Sequence, residues 1–170
     1  VATPIGPDET NVELEPRLAQ LGITAVERAI VRIAAGDTAG VTQDPALVTK
    51  APRLAKTAGA IDWTRTAKQI HDQIRALVPW PKTYTYWLRE GAEPLRFIVD
   101  RARVVEFANK APDAIGGPGT IIEAGERLLV QCGRGALSIK QLQPAGKKSQ
   151  TVAEFQRGHK VPLGAKFGGV

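Results

Sequence analysis

Between Thr83 and Leu142 apolar and polar residues alternate in short runs, and nearly every run ends at Gly or Pro. Side chains along a strand point to opposite faces in turn, so this pattern demands half-buried strands joined antiparallel by tight turns. It predicts strands at 83–88, 95–107, 120–123, 127–132 and 136–142, with hairpin turns at Ala124-Gly125-Glu126 and Gly133-Arg134-Gly135. The alternation changes phase near Asp100, where Val99 gives way to Ala102, and again near Gln141, where Ile139 gives way to Leu142. Bulges that bend the strands produce such slips. Five bent antiparallel strands predict a small open β-barrel of OB type.

The residues before the strands follow a helical period. Leu14, Leu18 and Leu21, then Ile23, Val26, Ile30 and Ile33, mark two helices broken at Gly22, with Pro16 suited to a first turn and Gly36 to a C-terminal stop. Their apolar stripe needs a partner that nothing else in the first 50 residues can supply. Periodicity then fades into Gly, Thr, Pro and Lys up to Gly59, a linker. A third helix has Ala67, Ile70, Ile74 and Leu77 on one face, Asp62 or Thr64 as its cap and Pro79 as its end. Trp63 and Trp80 flank it and read as anchors between helix and barrel. Past the last strand, Thr151 caps a short helix through Glu154, with Phe155 turned to the barrel. The fold class is α+β: helices at 1–40, a linker at 41–59, and a helix with a small open antiparallel barrel at 60–170.

Charge is divided unevenly along this plan. Residues 1–50 carry four bases and seven acids, net −3, which leaves +9 of the total +6 for residues 51–170. From Arg127 onward eight Lys and Arg face one acid, Glu154, a net of +7. Such a surface suits a partner with many phosphates, because each one neutralised releases a condensed counterion. A plain solvated face is the competing explanation. Around the Pro144-Ala145-Gly146 turn the basic residues are densest, with Lys147 and Lys148 adjacent where the backbone reverses.

Chemistry is harder to find. Gly146-Lys147-Lys148-Ser149 looks like the end of a phosphate loop, but position 141 is Gln where that loop needs Gly. The glycines of Gly116-Gly117-Pro118-Gly119 follow no strand and open no helix, so they are turn residues. His71 sits beside the apolar face of its helix with no acid or cysteine spaced to serve it, and His159 has no metal-ligand spacing. Cys132, the single cysteine, alternates inward with Leu128 and Val130 as a core thiol, and one cysteine excludes a disulfide framework. No catalytic residue and no metal site is expected. The apolar runs are too short to cross a bilayer, and a lone cysteine suits a reducing cytoplasm. Because the chain begins at Val1 and has no methionine, we expect a fragment of something longer.

GAIDWTRTAKQIHDQIRALVPWP, PGTII, LLVQCGRGALSIKQLQPAGKK and AEFQRGH, in that order and spacing, resemble the C-terminal domain of the bacterial methionyl-tRNA formyltransferases. DETNVELEPRLAQLG resembles the last helical part of that family's catalytic domain. IDW with PWP also occurs in formyltransferases acting on nucleotide sugars; LQPAGKK is the more specific element. The resemblance implies a catalytic domain upstream that uses formyltetrahydrofolate as co-substrate, with an Asn, a His and an Asp that match nothing here. It also implies a barrel whose basic face positions initiator methionyl-tRNA. The residues expected to meet the tRNA are Lys147, Lys148, Lys140, Arg134, Arg157, Lys160 and Lys82. Two features depart from the family: Lys82 replaces a small residue after PWP, and Ser149-Gln150-Thr151 replaces a Met-containing segment. The alternatives are a formyltransferase for an amino sugar nucleotide and a free-standing OB-type nucleic-acid binder; few aromatic residues argue against the latter.

Overall fold

A computed structural model describes residues 1–106 and 116–169. The chain divides into two compact units, Val1–Leu54 and Ala55–Val170.

In the first unit one helix, α1 (Asn11–Ala34), replaces the two expected. Gly22 does not break it: glycine costs about 1 kcal/mol in a helix interior, which the remaining hydrogen bonds of a 24-residue helix outweigh. Pro16 lies inside the helix rather than in its first turn. At the start the Thr10 N–H and hydroxyl each donate to the Glu13 carboxylate at 2.8 Å. The stop at Gly36 is as expected, with φ +85° and the Asp37 N–H donating to the Arg32 carbonyl at 2.9 Å. No residue of α1 is buried; Leu18, Ile23, Val26, Ile30 and Ile33 are exposed.

The second unit is built on a sheet ordered β3-β4-β5-β2-β1-β7, with β6 also pairing β5. The strands are β1 (Thr83–Leu88), β2 (Leu95–Val105), β3 (Ile121–Glu123), β4 (Leu128–Gln131), β5 (Ala136–Pro144), β6 (Gln150–Thr151) and β7 (Lys166–Gly168). The five expected strands are all present; β2 ends at Val105, and position 107 lies outside the described residues. The two short strands β6 and β7 are additional. Thr120 bridges Lys166 antiparallel, and the Phe167 N–H donates to the Gly119 carbonyl at 2.8 Å, so β7 ties back to the entry of β3 and nearly closes the barrel.

Both expected bulges turn out to be one defect seen from its two sides. Val99 pairs with Leu142, Arg101 with Gln141 and Ala102 with Ile139, so Asp100 on β2 and Lys140 on β5 are passed over at the same place in the ladder. Each strand changes phase there, and the apolar face stays inward on both sides: Phe97, Val99 and Ala102 face Ile139 and Leu142 within the core.

One end of this core is covered by α2 (Ala67–Ala76), which buries Ala67, Ile70 and Ile74. Its cap is Thr66, not Asp62 or Thr64: the Thr66 hydroxyl accepts from the Gln69 N–H at 3.2 Å. Asp62 is already engaged by the N–H and hydroxyl of Thr64, at 3.0 and 2.6 Å. The helix α3 (Val152–Gly158) begins with the expected Thr151–Glu154 box and buries Phe155 against Phe97.

Of the two tryptophans expected to anchor helix to barrel, only Trp63 does so. It is 4 % exposed, donates its indole N–H to the Thr85 hydroxyl at 3.0 Å and packs on Phe167. Trp80, between two prolines in a turn, is 51 % exposed. Beside Trp63 the chain passes so close that a Cβ on Gly133 would lie 1.8 Å from the Thr64 carbonyl oxygen. The Gly133 N–H donates at 2.9 Å to the carbonyls of Trp63 and Arg65. Only glycine permits that approach, which locks the β4–β5 hairpin to the entry of α2.

Truncating a large buried aromatic costs about 3–5 kcal/mol, whereas an exposed one changes stability by roughly 0.5 kcal/mol or less. Urea denaturation should therefore show Trp63→Ala strongly destabilised and Trp80→Ala close to the parent.

Candidate nucleic-acid interface

The turn that carries the lysine pair follows directly from β5. Pro144 ends the strand, the Lys147 N–H donates to the Pro144 carbonyl at 3.0 Å, and Gly146 takes φ +72° to complete the reversal. Lys147 and Lys148 are both exposed. The chain then returns through β6 against β5 into α3, and a groove of about 460 Å³ forms between turn and helix. Lys147, Lys148, Arg157 and His159 line it. On the other side of α3 a second groove, of about 580 Å³, is lined by Arg157 and Lys160. Four of the expected residues thus surround one short helix. Among the described residues none of these four forms a salt bridge.

Glu154 is the acid of this groove, and its charge is committed. Its carboxylate accepts from the Thr151 N–H and hydroxyl at 2.7 and 2.8 Å. These bonds, the backbone one first, hold it below the usual carboxylate range. His159, for which the sequence offers neither metal-ligand spacing nor an assignable Ser or Asp partner, stacks on Phe155, with ring centroids 4.8 Å apart and planes 10° apart, at the edge of the lysine groove. Nothing in the local pattern marks that position, since it depends on how α3 ends.

The remaining three expected residues lie apart. Arg134 is exposed on the β4–β5 hairpin, at the far end of β5 from the lysine turn, up to roughly 30 Å of strand away. Its backbone carbonyl accepts from the Ala67 N–H at 2.9 Å and supports the start of α2. Lys140 is exposed at the β2–β5 defect and lines neither groove. Lys82 points its ammonium at protein, with Nζ 3.3 Å from Asp100 Oδ1 and 3.4 Å from Gln143 Oε1. Two further bases of the +7 segment are also engaged: Lys166 donates to the Gly116 carbonyl, and Arg127 lies 3.6 Å from Glu123. Four of the eight bases of that segment therefore gather around α3, while Arg134 and Lys140 are exposed elsewhere on the barrel.

The chain aligns over residues 53–160 with the family described as formyl transferase, C-terminal domain. It belongs to that family. Methionyl-tRNA formyltransferase of Rhodopirellula baltica is 38 % identical over 97 % of this chain and 50 % of its own length. The enzymes of the same name from Symbiobacterium thermophilum and Streptococcus gordonii are 37 % and 36 % identical over 96 % and 95 % of this chain. The chain spans about half the length of the curated relatives it matches. Among solved structures, a variant of HypX from Aquifex aeolicus shares the fold, with a TM-score of 0.50 and 18 % identity over 82 % of this chain and 24 % of that one.

In this formyltransferase C-terminal domain no group of three His, Cys, Asp or Glu side chains gathers among the described residues. Cys132 is 2 % exposed, and burial pushes its thiol up to about 12. The unfolded thiol ionises near roughly 8.5, so ionisation favours the unfolded chain above that pH. The contribution of Cys132 to stability should be complete below about 8.5 and fall away as pH rises toward 12. A thiol-disulfide reagent at neutral pH should label the native chain far more slowly than the chain in denaturant, and Cys132→Ser should flatten the alkaline loss of stability.

Proposed function

We propose that this chain is the tRNA-positioning half of a methionyl-tRNA formyltransferase. The full protein would transfer a formyl group from formyltetrahydrofolate to the amine of methionine on initiator tRNA, in the cytoplasm, as part of translation initiation. Its catalytic residues would lie in a preceding domain, and the chain here would hold the substrate rather than react with it. The exposed apolar residues of α1 suit the end of that catalytic domain, residues 1–40, followed by the linker at 41–59 and the barrel domain at 60–170.

The observation that carries this reading is the convergence of Lys147, Lys148 and Arg157 on one groove, with Lys160 continuing around α3. Ammonium and guanidinium groups at that spacing can follow a ribose-phosphate backbone without reading its bases. Phosphate contacts set position and leave identity to other elements. RNA helices offer little base information in their deep groove, so recognition by shape and backbone is the usual mode. A small amino sugar nucleotide would need only one such cluster around a diphosphate.

Replacing Lys147 and Lys148 with alanine should weaken binding of a tRNA transcript and lower the slope of log affinity against log salt by about one to two. Initiator and elongator tRNA should be affected alike, because discrimination would belong to the missing half. Titrations at several salt concentrations check this. An unchanged slope in the folded double variant removes the pair from the site, and no tRNA binding by the parent at low salt favours the sugar-nucleotide alternative.

A further inference from the structure

Lys82 and Ser149, which stand 67 residues apart in the sequence, meet on a single carboxylate, that of Asp100. Asp100 is the residue passed over on β2, so its side chain leaves the ladder on the outer side of the barrel. Its Oδ1 lies 3.3 Å from Lys82 Nζ, and its Oδ2 accepts from the Ser149 hydroxyl at 2.6 Å. Lys82 also reaches Gln143 Oε1 at 3.4 Å, and Gln143 in turn donates through Nε2 to the Lys147 carbonyl at 2.9 Å. The basic turn is therefore fastened at two points: at the Lys147 carbonyl, between the two lysines, through Gln143, and at Ser149 through Asp100.

The geometry points to Asp100 as a positioning residue for the tRNA-binding turn, with Lys82 and Ser149 as its partners; this rests on the tRNA reading of Lys147 and Lys148 given above. Asp100 sits where a carboxylate would otherwise be a liability, close to a surface meant for phosphates. Its charge is balanced by Lys82, whose side chain is 34 % exposed against 16 % for Asp100. An exposed turn without these ties would leave two long side chains to be ordered only when RNA arrives, and that ordering opposes binding. With them, the backbone bearing both ammonium groups is fixed before the encounter. Lys82 on this account adds no phosphate contact of its own.

The test uses the full 170-residue chain and an initiator tRNA transcript. Ser149→Ala removes one tie without changing charge; Asp100→Ala removes the same tie and releases Lys82. Ser149→Ala should weaken binding roughly three- to tenfold at unchanged salt slope, since the number of phosphates met stays the same, and Asp100→Ala should weaken it too, although it adds a positive charge. Ser149→Thr, which keeps the hydroxyl, should bind as the parent does. Neither alanine variant should weaken binding further once Lys147 and Lys148 are themselves alanine. All four side chains lie outside the apolar core, and melting curves check that each variant is folded. Parent-like affinity in both alanine variants, tighter binding by Asp100→Ala, or losses that add in full to those of the lysine pair would overturn the proposal. Parent-like binding by the lysine double variant would instead remove the tRNA reading of the turn.

Discussion

The pairing of β2 with β5 is the constraint on which the rest of this barrel depends. They are the longest strands, and they lie side by side at the centre of the sheet. A regular ladder of that length would either stay open or turn part of its apolar face to water, because a one-residue change of register moves every side chain to the other face. Passing over Asp100 and Lys140 together lets both strands bend while the inward residues remain inward. The same defect puts a carboxylate on the outer surface beside the end of β5, where the basic turn begins. Curvature of the core and the tie that holds the basic turn thus share one origin.

The second joint is the docking of the α2 entry on the β4–β5 hairpin. Trp63 fills the space between Phe167 and Thr85, and Gly133 lets two backbones meet at a distance no other residue tolerates. IDWTRT and CGRG, which stand some 70 residues apart in the sequence, are therefore two halves of one contact. Neither segment needs a catalytic role to account for its composition. The lysine turn and α3 lie at the other end of β5, where Lys147, Lys148 and Arg157 are exposed.

Much of this architecture was legible because its signals are local. Alternation bounded by Gly and Pro marks the five main strands, and a phase slip marks the bulge. Thr66 also carries a local signal as the α2 cap, since Gln69 follows it at capping-box spacing; Asp62 and Thr64 instead bond to each other. β6 and β7 have two and three residues and no period to detect. Gly22 is no stop signal, because a glycine's cost is small against the hydrogen bonding of a 24-residue helix. In the site, Lys147, Lys148, Arg157 and Lys160 were foreseeable from charge, but their convergence was not, because it arises from β6 pairing with β5. The engagement of Lys82 was not legible for a related reason: its partners Asp100 and Gln143 lie 18 and 61 residues away, beyond the reach of any local pattern.

Amide chemical-shift mapping most directly tests the proposed seat of RNA in the groove between the lysine turn and α3. Titrating the isotope-labelled chain with an initiator tRNA transcript should perturb the amides of residues 146–151 and 154–160 first and most. The β4–β5 hairpin around Arg134 and the turn around Trp80 should remain close to their free positions. Perturbation centred on Arg134 and Arg65, with the lysine turn unmoved, would contradict it.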